Sequence, residues 1–174
     1  MRARRQLPAC AAGPALAACV MLVAAATHAE EGDVRWRVSD QDDTALLVTS
    51  DSEATDNFGP LLFHCKKGTG LATAEGDMDE ALRTTFATMM LHDKEPGVTM
   101  VPEDSSAMSA EAFTGMTGWH YRFMLDVTGP AFQAFQQTGN FHFKIGDSSV
   151  SSDFKVGLES VRKFQDLCKR PPPK

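Results

Sequence analysis

The chain has no Gly-x-Ser-x-Gly and no Cys-x-x-Cys, so the common signatures of a serine nucleophile and of a dithiol redox centre are missing. Cysteine is scarce: there are four among 174 residues, and two of them, Cys10 and Cys19, fall within residues 1–29. Basic charge is also in the minority. Beyond residue 29 the chain holds 14 lysines and arginines against 23 acids, a formal charge of −9, which repels phosphate backbones and argues against nucleic-acid binding. No apolar run past residue 29 is long enough to cross a membrane, so no integral membrane segment is expected in the mature chain. What is present is ordinary globular composition, 43% hydrophobic and 23% charged, enough for one domain with a sizeable core.

Residues 1–29 have the order of an export signal: Arg2, Arg4 and Arg5, an Ala-rich apolar stretch through Val23, and small residues up to Thr27-His28-Ala29. Cleavage is expected after Ala29, placing the mature protein in the periplasm. Two competing readings exist. A retained anchor is opposed by Pro14 and the cleavage-like site, and a lipoprotein through Cys19, suggested by Leu16-Ala17-Ala18-Cys19, is opposed by the apolar residues that continue to Ala26. Export leaves Cys65 and Cys168 in a compartment where disulfides persist, and two cysteines allow one intramolecular pairing.

The rest of the chain, residues 30–170, reads as a single β-rich domain, with Pro171-Pro172-Pro173 beginning a short tail. Val34, Trp36 and Val38 alternate with Arg35 and Arg37; Thr44 to Thr49 and Leu61 to Lys66 are further strands, the last with Leu61, Phe63 and Cys65 on one face. Lys67-Gly68-Thr69-Gly70 turns the chain into a pairing strand from Leu71. The threonines and Phe86 in 81–92 favour a strand there, in a hairpin with Val98–Val101 across Pro96-Gly97, although Ala, Leu and Met also allow a helix. Pro102 to Gly118 reads as loop. Trp119, Tyr121, Phe123, Leu125 and Val127 share one face of the clearest strand. Thr128 is placed to cap a short helix with Pro130 in its first turn and Gly139 as its stop. Strands follow at Phe141–Ile145 and Phe154–Val156, with a turn at 146–149 between them. Leu158, Val161, Phe164, Leu167 and Cys168 mark a terminal amphipathic helix. The expected fold is mainly β, an antiparallel sandwich or open barrel with a short helix and a C-terminal amphipathic helix on one side.

An early tryptophan strand (Trp36), an acidic turn (Asp40 to Asp43), Phe63-His64-Cys65 before Lys67-Gly68-Thr69-Gly70, Pro130-Ala131-Phe132-Gln133-Ala134-Phe135, and Val161-Arg162-Lys163-Phe164 before Cys168 follow in that order. In this the chain resembles small uncharacterised exported proteins of alphaproteobacterial type. The resemblance implies a periplasmic β-rich domain with a cysteine bridge from a central strand to the last helix, and it transfers no catalytic residue.

No catalytic, cofactor-binding or metal-binding residue is assigned on this reading, and no cofactor is expected. His64, His92, His120 and His142 fall on expected solvent faces of strands; a small hydrolase with a dispersed histidine-based site is one alternative. Thioether and imidazole together suit copper, and Met89-Met90-Leu91-His92 is the densest such cluster, so metal handling through Met89, Met90 and His92 is another. Methionine is equally a filler of irregular cores. The carboxylate pairs, such as Asp42-Asp43 and Glu103-Asp104, lack the full ligand set of a calcium loop and serve as turn formers. The leading expectation is a non-catalytic binding or interaction module whose partner is an envelope protein or a small ligand.

Overall fold

The computed structural model describes residues 34–51 and 60–169. Residues 1–29, read above as an export signal and including Cys10, Cys19 and Ala29, and the tail from residue 171 lie outside the described residues. Nine strands and three helices are assigned among those described: β1 (Arg35–Gln41), β2 (Thr44–Ser50), β3 (Leu61–Lys66), β4 (Leu71–Asp77), α1 (Glu80–Leu91), β5 (Val98–Val101), β6 (Glu111–Gly115), β7 (Gly118–Asp126), α2 (Pro130–Thr138), β8 (Asn140–Ile145), β9 (Ser148–Asp153) and α3 (Leu158–Cys168).

Six strands form one antiparallel sheet in the order β1-β2-β3-β4-β7-β6, and β5-β8-β9 form a second. The fold is mainly β with open sheets and helices packed on one side, as the alternation patterns imply. On the large sheet, strand alternation turns Trp36, Leu47, Phe63, Cys65, Ala74, Tyr121 and Phe123 inward, all buried. The small sheet answers with Met100, Phe141, Phe143 and Ile145, and the helices with Phe132, Phe135, Val161 and Phe164. Phe63 meets Phe141 at 4.8 Å between ring centroids and Phe123 meets Phe143 at 4.8 Å, so aromatic edges join the two sheets. Helix α3 covers β1 and β2, and α2 lies between α3 and β8.

The Cys65–Cys168 pair forms a disulfide, with Cα atoms 5.9 Å apart. It joins the end of β3 to the end of α3. Backbone bonds reinforce that junction: Gly68 N donates to Leu167 O at 3.0 Å and Gly70 N to Cys168 O at 2.8 Å. At the other end of α3, Gly157 takes a left-handed φ of 86° and packs so closely on the Trp36 backbone that a Cβ would collide with it. Nearby, the Trp36 indole donates to Phe154 O at 3.0 Å. Lys67 ties the turn after β3 to the turn after β1, reaching Asp40 Oδ1 at 2.5 Å and Asp42 O at 2.6 Å. The hydrogen bond from Lys67 holds the Asp40 carboxyl below the usual carboxylate range.

Four local expectations are corrected. Residues 81–92 are helical rather than extended, because Asp79 caps α1 by accepting from Leu82 N at 2.8 Å and because Leu82 and Phe86 are buried one turn apart. Two of the three threonines that suggested a strand bond back into their own helix, Thr84 to Glu80 O and Thr88 to Thr84 O, while Thr85 bonds the Ser148 hydroxyl of β9 at 2.8 Å. Consequently Val98–Val101 does not pair with this segment; it pairs antiparallel with β8. Within the expected loop 102–118, Glu111–Gly115 forms a strand against β7. The last strand of the small sheet is the serine-rich Ser148–Asp153, whereas Phe154 to Val156 lie beyond it and bond to Gly139 and Trp36.

The start of α2 is also capped differently. Its N-cap is Gly129, without a side-chain bond, and the oxygens come from buried Asp104: Oδ2 accepts from Ala131 N at 3.1 Å and Oδ1 from Ser106 N at 2.9 Å. A Cβ at residue 129 would clash with that carboxylate, so glycine here admits a cap from a distant loop. Thr128 instead bonds Asp126. Gly139 ends α2 in the left-handed conformation, as expected.

Candidate functional site

Because alternate residues of each strand face opposite sides, the same alternation that fills the core builds an outer platform on the large sheet. On β7 this face presents His120, Arg122 and Met124. Opposite them in register stand Asp77, Glu75 and Thr73 of β4, and His64 of β3 stands opposite Thr73. On the other flank, Phe113 and Glu111 of β6 oppose His120 and Arg122.

At the hairpin end of the platform, His120 Nδ1 lies 2.9 Å from Asp77 Oδ1 and its Nε2 lies 3.1 Å from Thr117 Oγ1. Phe113 stacks on the imidazole at 5.3 Å, and Gly115 leaves the space that the ring occupies. Arg122 packs on Phe113 at 5.2 Å and donates from Nε and Nη2 to Glu111 Oε2 at 3.0 and 2.9 Å. Beneath this end Tyr121 is buried, and loss of hydration pushes its phenol pKa upward, with the charge of Asp77 adding to the effect. Gly76 has no side chain where the Tyr121 hydroxyl approaches.

The order Asp77–His120–Thr117 is that of an orienting acid, a base and a hydroxyl. Its setting is that of a clamp. None of the three borders the groove described below, and the chain of contacts ties the β6–β7 turn to the end of β4. The His120 side chain is 14% exposed, whereas Asp77 is open to solvent, so the ion pair itself is discounted for screening. His120→Ala is expected to lower stability by about 1–2 kcal/mol, measured as a reduced denaturation midpoint at constant m-value. Hydrolysis of a p-nitrophenyl ester that disappears in Thr117→Val would instead identify a nucleophile.

Beyond Arg122 the platform opens into a groove of about 650 Å³, bounded by His64, Thr73, Glu111, Arg122, Phe123 and Met124 on the sheet and by Glu95, Pro96, Met108, Ser109 and Ala110 from the segments beside it. Backbone bonds hold its rim: Met108 N donates to Met124 O at 2.8 Å and Ala110 N to Pro96 O at 2.7 Å. Met108 and Met124 remain 51% and 40% exposed in this groove.

The residues singled out from the sequence are distributed differently. Met89, Met90 and His92 lie at the C-terminal end of α1, where Met90 is 65% exposed and His92 is the helix cap rather than a strand residue. His64 is on the platform and borders the groove. His120 is largely enclosed by its clamp, and His142 is half-buried on β8 of the small sheet. Trp119, expected inward with Tyr121, is 49% exposed at the start of β7. Among the described residues no group of three or more His, Cys, Asp or Glu side chains could hold a metal ion. Sequence reasoning missed the groove because its walls come from β3, β4, β7 and a stretch read as loop. The visible signal was the outward position of Met124 on a strong strand. No protein-family model, curated protein or solved structure matches the chain.

Proposed function

We propose that this protein is an exported, periplasmic binding module that takes a ligand in the groove on the outer face of its large sheet. The carrying observation is that groove: it is open and large enough for a small molecule, with exposed methionines beside charged side chains. The scaffold suits the role, since the sheet beneath it is braced by a closely packed aromatic core and by the Cys65–Cys168 disulfide. The export-like order of residues 1–29 supports the address.

Native mass spectrometry of protein from its own periplasm, paired with a fragment screen read by NMR, tests this reading. A copurifying species or fragment is expected to perturb Thr73, Met108 and Met124, and Thr73→Arg is expected to abolish its binding while leaving the melting temperature within a few degrees. A protein that carries nothing and shows no perturbation in the groove would sink the reading.

A further inference from the structure

We propose that the outer edge of β6 receives an extended, basic segment of another polypeptide as an added strand, with one of its cationic side chains at the groove wall. This rests on the groove being the binding site, and it names the class of partner that enters.

The edge follows from the hydrogen-bond alternation of the β6–β7 hairpin. In an antiparallel pair, residues that exchange both backbone bonds alternate with residues whose N–H and C=O point the other way. Met78 N, just past β4, donates to Trp119 O at 2.9 Å, so Trp119 turns away from β6 and its partner Thr114 turns its own backbone groups outward. Ala112, two residues earlier, does the same. Ala110 fixes the phase independently, because its N–H points away from β7 and donates to Pro96 O at 2.7 Å. That bond shows the edge already pairing with extended chain. Gly97 N then donates to Glu95 O at 2.8 Å, a tight turn that leads the chain off the edge, and a Cβ on Gly97 would meet nothing within 4 Å. Among the described residues nothing bonds the backbone of Ala112 or Thr114 from that side.

The other edge strands are blunted in the ways that keep sheets from pairing with foreign chain. Trp36 N of β1 donates to Val156 O at 2.9 Å, Ser148 of β9 is met by Thr85 of α1 at 2.8 Å, and β5 has four residues and stops at Pro102. Strand β6 has no lysine, no proline and no charge on its inward face.

The partner's chemistry is set by the two faces of the edge. Residues directly opposite one another share a face, so those opposite Ala112 and Thr114 lie on the core side, where Ala112 and Val98 are partly buried and a β-branched apolar residue packs well. The residue opposite Glu111 lies on the platform side, its Cβ about 5 Å from that of Glu111. There it neighbours the groove wall of Glu95 and Glu111, and Arg122, the one arginine or lysine of the groove, is already paired with Glu111. Lysine or arginine is the complement. A second copy of this chain carries the same acidic excess and is repelled by the first.

The test is an NMR titration of the isotope-labelled full chain with a capped heptapeptide that alternates lysine and valine. The amides of Ala112 and Thr114 should shift and gain protection from hydrogen exchange, and those of Ser109 and Glu111 on the groove wall should shift with them. The same peptide N-methylated at its valines, the residues that pair with Ala112 and Thr114, should bind at least ~10-fold more weakly because two donors are lost. A version with glutamate for lysine should also lose at least ~10-fold. Thr114→Pro removes an N–H that β7 does not use, so it should keep the melting temperature within a few degrees and lose the peptide. Should that variant fail to fold, the N-methylated peptide on the parent protein decides. Unmoved Ala112 and Thr114 amides, or equal binding by the N-methylated or the glutamate peptide, would each overturn the proposal. A dimer that moves the same amides without peptide would overturn it in favour of a second copy. If the peptide fails while fragments still perturb Thr73, Met108 and Met124, the added-strand assignment alone falls; if the fragments fail as well, the groove reading falls with it.

Discussion

Phe63→Ala is expected to destabilise the protein by about 3–5 kcal/mol, a large share of the ~5–15 kcal/mol typical of a domain. Phe63 is fully buried on β3, and its ring meets Trp36 of β1, Phe132 and Phe135 of α2, Phe141 of β8 and Phe164 of α3 at centroid distances between 4.8 and 6.4 Å. One side chain therefore touches both sheets and two helices. A void left there is lined by rings on separately anchored elements, which cannot close it by a small local shift, so the cavity cost adds to the lost burial. Guanidinium denaturation followed by circular dichroism measures the effect. Leu62→Ala, at the neighbouring position on the outward face, is expected to cost far less. Similar midpoints for the two variants would show that the aromatic cluster is not the centre of stability.

The second large effect is expected from Cys168→Ser. The disulfide spans 103 residues and constrains the unfolded chain, so its loss should cost about 2–5 kcal/mol, with a fall in melting temperature on the order of 10 °C. Bonds from the 68–70 turn to Leu167 and Cys168, and from Gln165 Nε2 to Val127 O at 2.7 Å, still hold α3 in the variant, so loosening rather than wholesale detachment is the expected outcome. Reducing agent should lower the melting temperature of the parent protein to that of Cys168→Ser and leave the variant unchanged. In protein lacking residues 1–29, no thiol should alkylate without reduction. Two reactive thiols, or equal melting temperatures with and without the bridge, would contradict this account.

Where one short segment carries its own complete signal, the sequence by itself determined the structure. Strand β7 has alternating residues over nine positions, α2 has proline at its start and glycine at its stop, and α3 has an apolar stripe that ends in a cysteine. The cysteine pairing was legible for a related reason, since the expected removal of residues 1–29 leaves two candidates and their strand and helix faces both point inward.

Helix α1 was ambiguous because its threonines fit a strand until the hydroxyls of Thr84 and Thr88 are seen bonding to carbonyls one turn back. Strands β6 and β9 have weak patterns of their own and exist through their partners β7 and β8. The cap on α2 comes from Asp104, 27 residues before Ala131, and no local rule connects the two. The groove is the extreme case. His64, Thr73, Met108 and Met124 are spread over 61 positions and come to line one groove through strand register and the backbone bond from Met108 to Met124. Hydrophobic periodicity reports which side of an element faces the core, because burial acts on each element separately. Which outward residues become neighbours is set by pairing between elements distant in the chain, and tertiary structure alone decides that.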